Sequence, residues 1–255
     1  MSDRQNVHLL YKKLGETPNE CILRWKKENP KYFDAPMTYA GRLDPMAEGL
    51  LLILSGEELK NKDKYLDLKK TYEFEILWGF TTDTLDVLGL VLDSSDIFPP
   101  ESEIKNYLKK MTGKFEQIYP IYSSKPVNGK PLFQWAREGR INEVEMPKHK
   151  VEIFNIEHIS RREISKKNLL ENIFLKISSV SGDFRQNETI EKWEEVISKC
   201  PLDTFLIDKF YVKVSSGFYV RQFVLDLAKS FNTKAVTFHI KRIKVGDYGV
   251  EQSLV

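Results

Sequence analysis

The sequence predicts an α+β fold, with a mixed, largely antiparallel sheet flanked by helices and a peripheral insertion. Strand-like and helix-like segments alternate along the chain without any repeat. "YEFEILWG" alternates cleanly, with Tyr72, Phe74, Ile76 and Trp78 on one face and Glu73 and Glu75 on the other. The strands are joined both by turns and by helices, which argues for mixed pairing. No long Pro/Gly/Ser linker interrupts the 255 residues, so residues 1–255 read as one domain.

The elements follow in order. "VHLLY" reads as a first strand. "TPNECILRWKK" opens a helix, with Thr17 as N-cap, Pro18 in the first turn and Glu20 at capping-box spacing. Asp44 and Pro45 precede a small helical turn, "PMAEG", after which Gly49 releases the apolar run "LLLIL". "TTDTLDVLG" is a polar turn before the strand "LVL". "PPESEIKNYLKKMTG" predicts a helix with Ile104, Leu108 and Met111 on one side and Gly113 as its stop. "PVNGKPLF" holds an Asn-Gly turn, and "LFQWAREG" a helix ended by Gly139. "VEIFNIEHI" and "NIFLKISSV" read as strands, "NETIEKWEEVISK" as a helix and "FYVKVSS" as a strand broken by Gly217. Val220, Phe223, Val224 and Leu227 then keep helical spacing, and "AVTFHIKRIKV" is a last strand. The charged segment from Asn142 to Lys167 is the expected insertion.

Composition narrows the function. Hydrophobic content of 41% and 13 glycines fit a globular protein. The longest apolar run, Leu50–Leu54, is too short to span a bilayer, and "MSDRQNVHLLYKK" lacks the shape of a signal peptide. Cys21 and Cys200 imply no disulfide framework, and four scattered histidines offer no metal-ligand spacing. A reducing cytoplasm, with no membrane and no metal, is the expected setting. Net charge is only +2, yet basic residues cluster at Lys60–Lys70, Ser160–Lys167 and Lys241–Lys244. Each run alone reads as a solvated face. Together they permit a phosphate-binding surface.

No glycine-rich phosphate loop and no Ser or Cys nucleophile motif is present. Three isolated polar residues beside apolar segments remain. Asp44, before Pro45, can cap the following turn. Tyr72 lies on the apolar face of its strand, where a tyrosine is ordinarily a core residue with a bonded hydroxyl. Arg221 starts a helix amid apolar residues, where an unpaired guanidinium is costly and calls for a carboxylate or phosphate. Taken together they suggest an Asp–Arg ion pair with an aromatic lid.

This set resembles the pseudouridine synthases, and among them the TruB-type tRNA enzymes. "GRLDPMAEGLLLILSGE" is similar to that family's G-x-LDP-x-A-x-G-x-L motif, and "KKTYEFEILWGFTTDTLDVLG" to its K-x-Y…G-x-x-TDT-x-D-x-x-G segment. "YPIYSSKPVNGKPLFQWAREG" and "VSSGFYVRQFVLDLAKSF" resemble its two later motifs, P-x-YSA-x-K-x-NG and CSKGTYIR. "GRLD…EGLLL" also echoes the RsuA/RluA-type synthases, which act on ribosomal or other RNA. The TDT and YSSKPVNGK segments favour the TruB type.

The resemblance implies a pseudouridine-synthase-like fold, and an isomerase that converts uridine to pseudouridine in RNA, at the T-loop uridine (position 55) of tRNA. It places Asp44 on the catalytic aspartate, Tyr72 on the active-site tyrosine and Arg221 on the arginine. Tyr39, Arg42, Lys70 and Lys125 are the expected substrate contacts, with Tyr39 standing where the family carries a base-displacing histidine. No cofactor is needed for the isomerisation. The resemblance further implies a short form, acting as a monomer, without the small C-terminal RNA-binding (PUA) domain of many relatives. A non-catalytic RNA-binding relative is the alternative from another class.

Overall fold

The computed structural model describes residues 6–254. Residues 1–5, the head of the segment read as lacking a signal-peptide shape, lie outside the described residues, as does residue 255.

Strand β1 (Val7–Lys12) leads into α1 (Pro18–Glu28). The helix starts as its sequence predicts. Thr17 Oγ1 accepts from the Glu20 amide, and the Glu20 carboxylate accepts from the Thr17 amide at 2.6 Å, so two orphan donors are satisfied. Next come β2 (Met37–Ala40) and β3 (Ala47–Ser55), antiparallel neighbours joined by the Asp44 loop. The small helical turn expected after Asp44 does not form. Pro45 and Met46 make a tight turn closed by the Ala47 amide on the Asp44 carbonyl at 3.0 Å, and the chain enters β3 at once. Proline suits the first corner of such a turn and disfavours helical backbone in the residue before it. "LLLIL" is continuous because β3 is covered on both sides. Leu51 and Ile53 pack with Leu10, Ile22 and Trp25, and Leu50, Leu52 and Leu54 pack with Ala40, Tyr65 and Val245.

The chain continues through α2 (Lys62–Leu66), β4 (Lys70–Trp78), β5 (Phe80–Thr82), β6 (Val91–Ser94) and α3 (Glu101–Leu108). The last helix stops at Leu108, and Gly113, expected to end it, instead opens β7 (Gly113–Ile118). That strand escaped the sequence pattern because its less exposed positions are Gly113, Phe115 and Gln117, too polar to read as apolar alternation. The hairpin β8 (Pro126–Val127) and β9 (Lys130–Pro131) turns at Asn128 and Gly129, both with positive φ, as an Asn-Gly turn requires. Helix α4 (Leu132–Arg137) follows, ended near Gly139.

Two expectations fail in the next stretch. Residues 148–165 are no peripheral insertion: they form β10 (Lys148–Ser165), paired with β7 along its first part and with β11 along the rest. Irregularities at Ile153/Asn155 and His158/Ser160 slip its period-two pattern, so the sequence did not read as one long strand. "NIFLKISSV" is not a strand but the body of α5 (Lys166–Ser178), capped by Ser165 Oγ on the Asn168 amide. Leu169, Ile173 and Ile177 face the core four residues apart, while Phe174 and Leu175, which made the run look continuous, stay exposed. Then come α6 (Gln186–Lys199), β11 (Thr204–Val214), α7 (Val220–Ser230), β12 (Ala235–Val245) and β13 (Tyr248–Gly249).

The main sheet runs β1-β3-β12-β4-β11-β10-β7, with β2 paired to β3 and β13 to β12. Every pairing is antiparallel except β12 with β3. Helices α3 and α7 cover the face that carries Tyr72, Phe74, Ile76 and Trp78. Helices α5 and α6 cover the other, over Leu77, Phe205, Ile207 and Val236. Gly49, Arg242, Tyr72 and Val212 form one rung across four central strands. At this end of the sheet the Asp44 loop, the start of β4 and the start of α7 come together. Among the described residues no helix is long and apolar enough to cross a membrane.

Candidate active site

Arg221 is the second residue of α7, and the backbone before it is fixed from another strand. Gln117 on β7 accepts from the Tyr219 amide at 2.8 Å and donates to the Tyr219 carbonyl at 3.0 Å. The guanidinium is all but buried. Its Nε donates to one oxygen of Asp44, Oδ2, at 2.9 Å, and Nη2 lies 2.7 Å from the same oxygen in an ion pair that spans 177 residues of sequence. Nη1 donates to the Thr84 carbonyl at 2.6 Å and Nη2 to the Tyr122 carbonyl at 3.1 Å. A second carboxylate, Asp86 Oδ2, lies 3.8 Å from Nε. Burial alone opposes the charge on Arg221, but Asp44 and Asp86 outweigh it, and its pKa lies above the ordinary value.

Asp44 is held differently. Its side chain keeps 30% exposure against 4% for Arg221. Both short contacts fall on Oδ2, and among the described residues Oδ1 accepts no hydrogen bond. The carboxylate therefore has one anchored oxygen and one open to a reactant. The turn after Asp44 is braced by buried Lys12, which donates to the Ala47 carbonyl at 2.5 Å and whose pKa burial pushes down to about 8.

Two clefts meet at this pair. One, of about 290 Å³, is lined by Asp44, Tyr72, Lys70, Tyr219, Arg221 and Ile240 among others. The second, of about 680 Å³, is walled by Tyr39, Arg42, Tyr122, Phe133, Arg137 and Arg185 among others, and shares Asp44 and Arg221 with the first. Tyr72, on the wall of the smaller cleft, is mostly buried. Burial, with the Asp44 charge second, pushes the neighbouring Tyr219 hydroxyl up to about 12.

Of the residues singled out from sequence, Asp44 and Arg221 are in direct contact, and Tyr72 lines the cleft beside them. Tyr39 lines the larger cleft and Arg42 lines both, with Arg42 Nη2 donating to the Tyr39 hydroxyl at 3.0 Å. Lys70 lines the smaller one. Lys125 lies on neither wall, and its ammonium sits 5.3 Å from the Tyr119 ring. Asp86 was passed over, although "TDTLD" contains it. Its Oδ1 accepts from Thr84 Oγ1 at 2.7 Å and from the Leu88 amide at 3.1 Å, and burial pushes its pKa up to about 6.

The basic runs are less available than their composition suggests. Arg161 pairs with buried Asp208 at 2.7 Å, and Arg162 with Glu75 at 3.1 Å. Arg242 is inside the protein, where it donates to the carbonyls of Leu50, Gly41 and Arg42. Lys60, Lys64, Lys69 and Lys244 are exposed.

Solved structures share this fold. The chain overlays on a chain of a Cbf5–Nop10–Gar1 complex with a TM-score of 0.56 at 16% identity, covering 95% of this chain and 49% of that one. It overlays on a chain of an H/ACA RNP bound to a substrate RNA containing 2′-deoxyuridine with a TM-score of 0.54, covering 98% and 50%. This chain thus spans about half of either. Residues 33–182 match the TruB family pseudouridylate synthase (N terminal domain), which sets the class: an isomerase of uridine. The tRNA pseudouridine synthase B of Caldicellulosiruptor saccharolyticus is 31% identical over 246 residues, 96% of this chain and 69% of that relative. The protein of the same name from Bacillus pumilus is 30% identical over 250 residues, 97% and 67%. The chain belongs to the TruB family of pseudouridylate synthases.

Proposed function

We propose that this chain converts uridine to pseudouridine in tRNA, at the T-loop uridine, position 55. The observation that carries the reading is the Asp44–Arg221 pair beside Tyr72, with one carboxylate oxygen anchored and the other open to the cleft. The relatives named tRNA pseudouridine synthase B support tRNA as the substrate.

The target base first leaves its stack, at a cost of roughly a few kcal/mol that contacts in the cleft offset. Asp44 Oδ1 then attacks C1′ or takes the C2′ proton, while Arg221 holds Oδ2 and favours the ionised carboxylate. Tyr72 stacks on the uracil and helps remove the C5 proton after the base rejoins through carbon. Tyr39 and Arg42, in the larger cleft, contact the RNA as the base is displaced. The chain acts as a monomeric catalytic domain, residues 1–255, in the cytoplasm. Light scattering on the purified protein tests the monomer.

Unmodified tRNA transcripts incubated with the protein are expected to gain pseudouridine at the T-loop position alone, read by chemical mapping of the modified site. Modification confined to ribosomal RNA fragments would replace tRNA as the substrate.

A further inference from the structure

Two buried cations line the smaller cleft, and neither is held by a carboxylate in an ion pair among the described residues. Arg242, 1% exposed, donates only to main-chain carbonyls: Nε to Leu50 at 2.8 Å, Nη2 to Gly41 at 3.1 Å and Nη1 to Arg42 at 3.4 Å. Lys70, 5% exposed, donates to the Leu66 carbonyl and to Ser216 Oγ. Among the described residues neither joins an ion pair. They are close neighbours, since a Cβ added at Gly41 would lie 3.5 Å from Arg242 Nη1 and 3.7 Å from Lys70 Cε. Burial, and then the charge of Arg242, pushes the Lys70 ammonium down to about 8. Adjacent buried like charges are costly, and an anion seated against them removes that cost.

Their place in the sheet says which anion. Arg242 is the cross-strand partner of Tyr72, and Lys70 precedes Tyr72 by two residues on the same face. The cations therefore border the proposed platform for the base. They also lie deep, whereas a backbone phosphate follows the protein surface. The part of the substrate that enters so far is the extruded base.

We infer that Lys70 and Arg242 form an anion-holding end of the base cleft, and that the anion is the uracil while it is detached from the ribose. This rests on the pseudouridine-forming reading above. When the C1′–N1 bond breaks, its electron pair stays on N1 and the base becomes a monoanion. In one route C1′ forms a bond to Asp44 Oδ1. In the other Asp44 takes the C2′ proton as C1′ and C2′ become doubly bonded. Either way the negative charge passes from the carboxylate to the base, and it returns to Asp44 when C5 bonds to C1′, as the Asp44–C1′ bond breaks or the proton goes back to C2′. The C5 proton then leaves and N1 gains one. Fixed cations beside that developing charge lower the barrier without reorganising.

The test compares single-turnover rates on two tRNA transcripts, one carrying uridine and one 5-fluorouridine at the target. Fluorine withdraws electrons and stabilises the uracil anion unaided. Lys70→Met is expected to slow loss of uridine about 10²-fold, to slow loss of 5-fluorouridine about tenfold less, and to leave RNA affinity unchanged. Lys70→Arg, which keeps the charge, is expected to recover part of the rate that Lys70→Met loses on uridine. Equal slowing on both substrates overturns the inference, and a loss confined to affinity seats a backbone phosphate there instead. An arm without variants uses free bases: 5-nitrouracil, an anion at neutral pH, is expected to inhibit the parent more strongly than neutral uracil. Equal inhibition overturns the inference. A parent inactive on every RNA overturns the pseudouridine reading and this inference with it, whereas an active parent with unaffected variants overturns this inference alone.

Discussion

At Asp44 the two carboxylate oxygens have different surroundings, Oδ2 against Arg221 and Oδ1 without a hydrogen bond among the described residues, and that sets what a single substitution does. The turn after it is closed by its backbone carbonyl, not by its side chain, so Asp44→Asn leaves the turn intact. What is lost is a charge-assisted contact to Arg221, which keeps the Thr84 and Tyr122 carbonyls and Asp86. The variant is expected to fold, with a stability loss of about 2 kcal/mol in a denaturant titration, and to make no detectable pseudouridine. Turnover near the parent rate would remove Asp44 from the mechanism. Asp86 has its own signature. Its folded pKa, about 6, lies above its ordinary value of 3.8, so the folded state holds the proton more tightly than the unfolded one. Its contribution to stability is greatest below the ordinary value and is lost as pH rises through about 6. The Tm of the parent relative to Asp86→Asn should therefore fall across that window. A constant difference would deny Asp86 a raised pKa. In activity, Asp86→Asn should lower kcat by roughly 10²-fold, the usual cost of misplacing a reacting group by about 1 Å, with KM little changed. Asp44, Tyr72 and Arg221 were legible because each stands in a motif and is out of place among apolar neighbours. Asp86 was not, because its value depends on a turn through Leu85, with φ of 65°, that brings it to Arg221.

Among the elements, β3 and β12 do most to hold the Asp44 loop, and glycine lets them. Gly49 has φ of 106°, and a Cβ there would lie 2.3 Å from the Arg242 carbonyl oxygen on the parallel partner strand. Gly49→Ala combines backbone strain with a backbone clash and is expected to cost about 3 kcal/mol or more and to depress kcat through the Asp44 loop. Gly139→Ala is the control. Its φ is 69° but no heavy atom lies within 4 Å, so about 1 kcal/mol and unchanged activity are expected by thermal melts and turnover. Equal effects at the two sites would show that strain alone, not the β3–β12 approach, decides the outcome. Elements with local signals were readable: the Thr17 capping box, the Asn128-Gly129 turn and the alternation of β4. The misreadings share one cause, since bulges in β10, polar inward positions in β7 and two exposed apolar residues on α5 all hide the period that tertiary packing imposes.

For the whole molecule, a net charge of +2 leaves RNA affinity to local groups. Affinity is expected to fall steeply between about 50 and 200 mM salt. Reversing Lys241 and Lys244 together should raise KM far more than it lowers kcat, because phosphate contacts position the substrate. If both constants stay put, that edge of β12 is a solvated face. Arg242 between them must be spared, for its reversal would bury a carboxylate against carbonyl oxygens. The sequence run "KRIK" shows no such distinction, because the partners of Arg242 lie about two hundred residues earlier.

That separation also bears on how the molecule is made. The Asp44 loop leaves the ribosome early, but the strand beside it and the guanidinium that grips the Gly41 carbonyl come 201 residues later. Until β12 emerges, β3 has an open edge toward β4, and the aspartate stands on a loop that nothing holds from that side. On the proposed mechanism, a nascent chain that carries Asp44, Tyr72 and Arg221 but not β12 is expected to be inert. Competence arrives with the strand that zips β3 to β4, so an unfinished polypeptide has little chance to act on RNA before its sheet is closed.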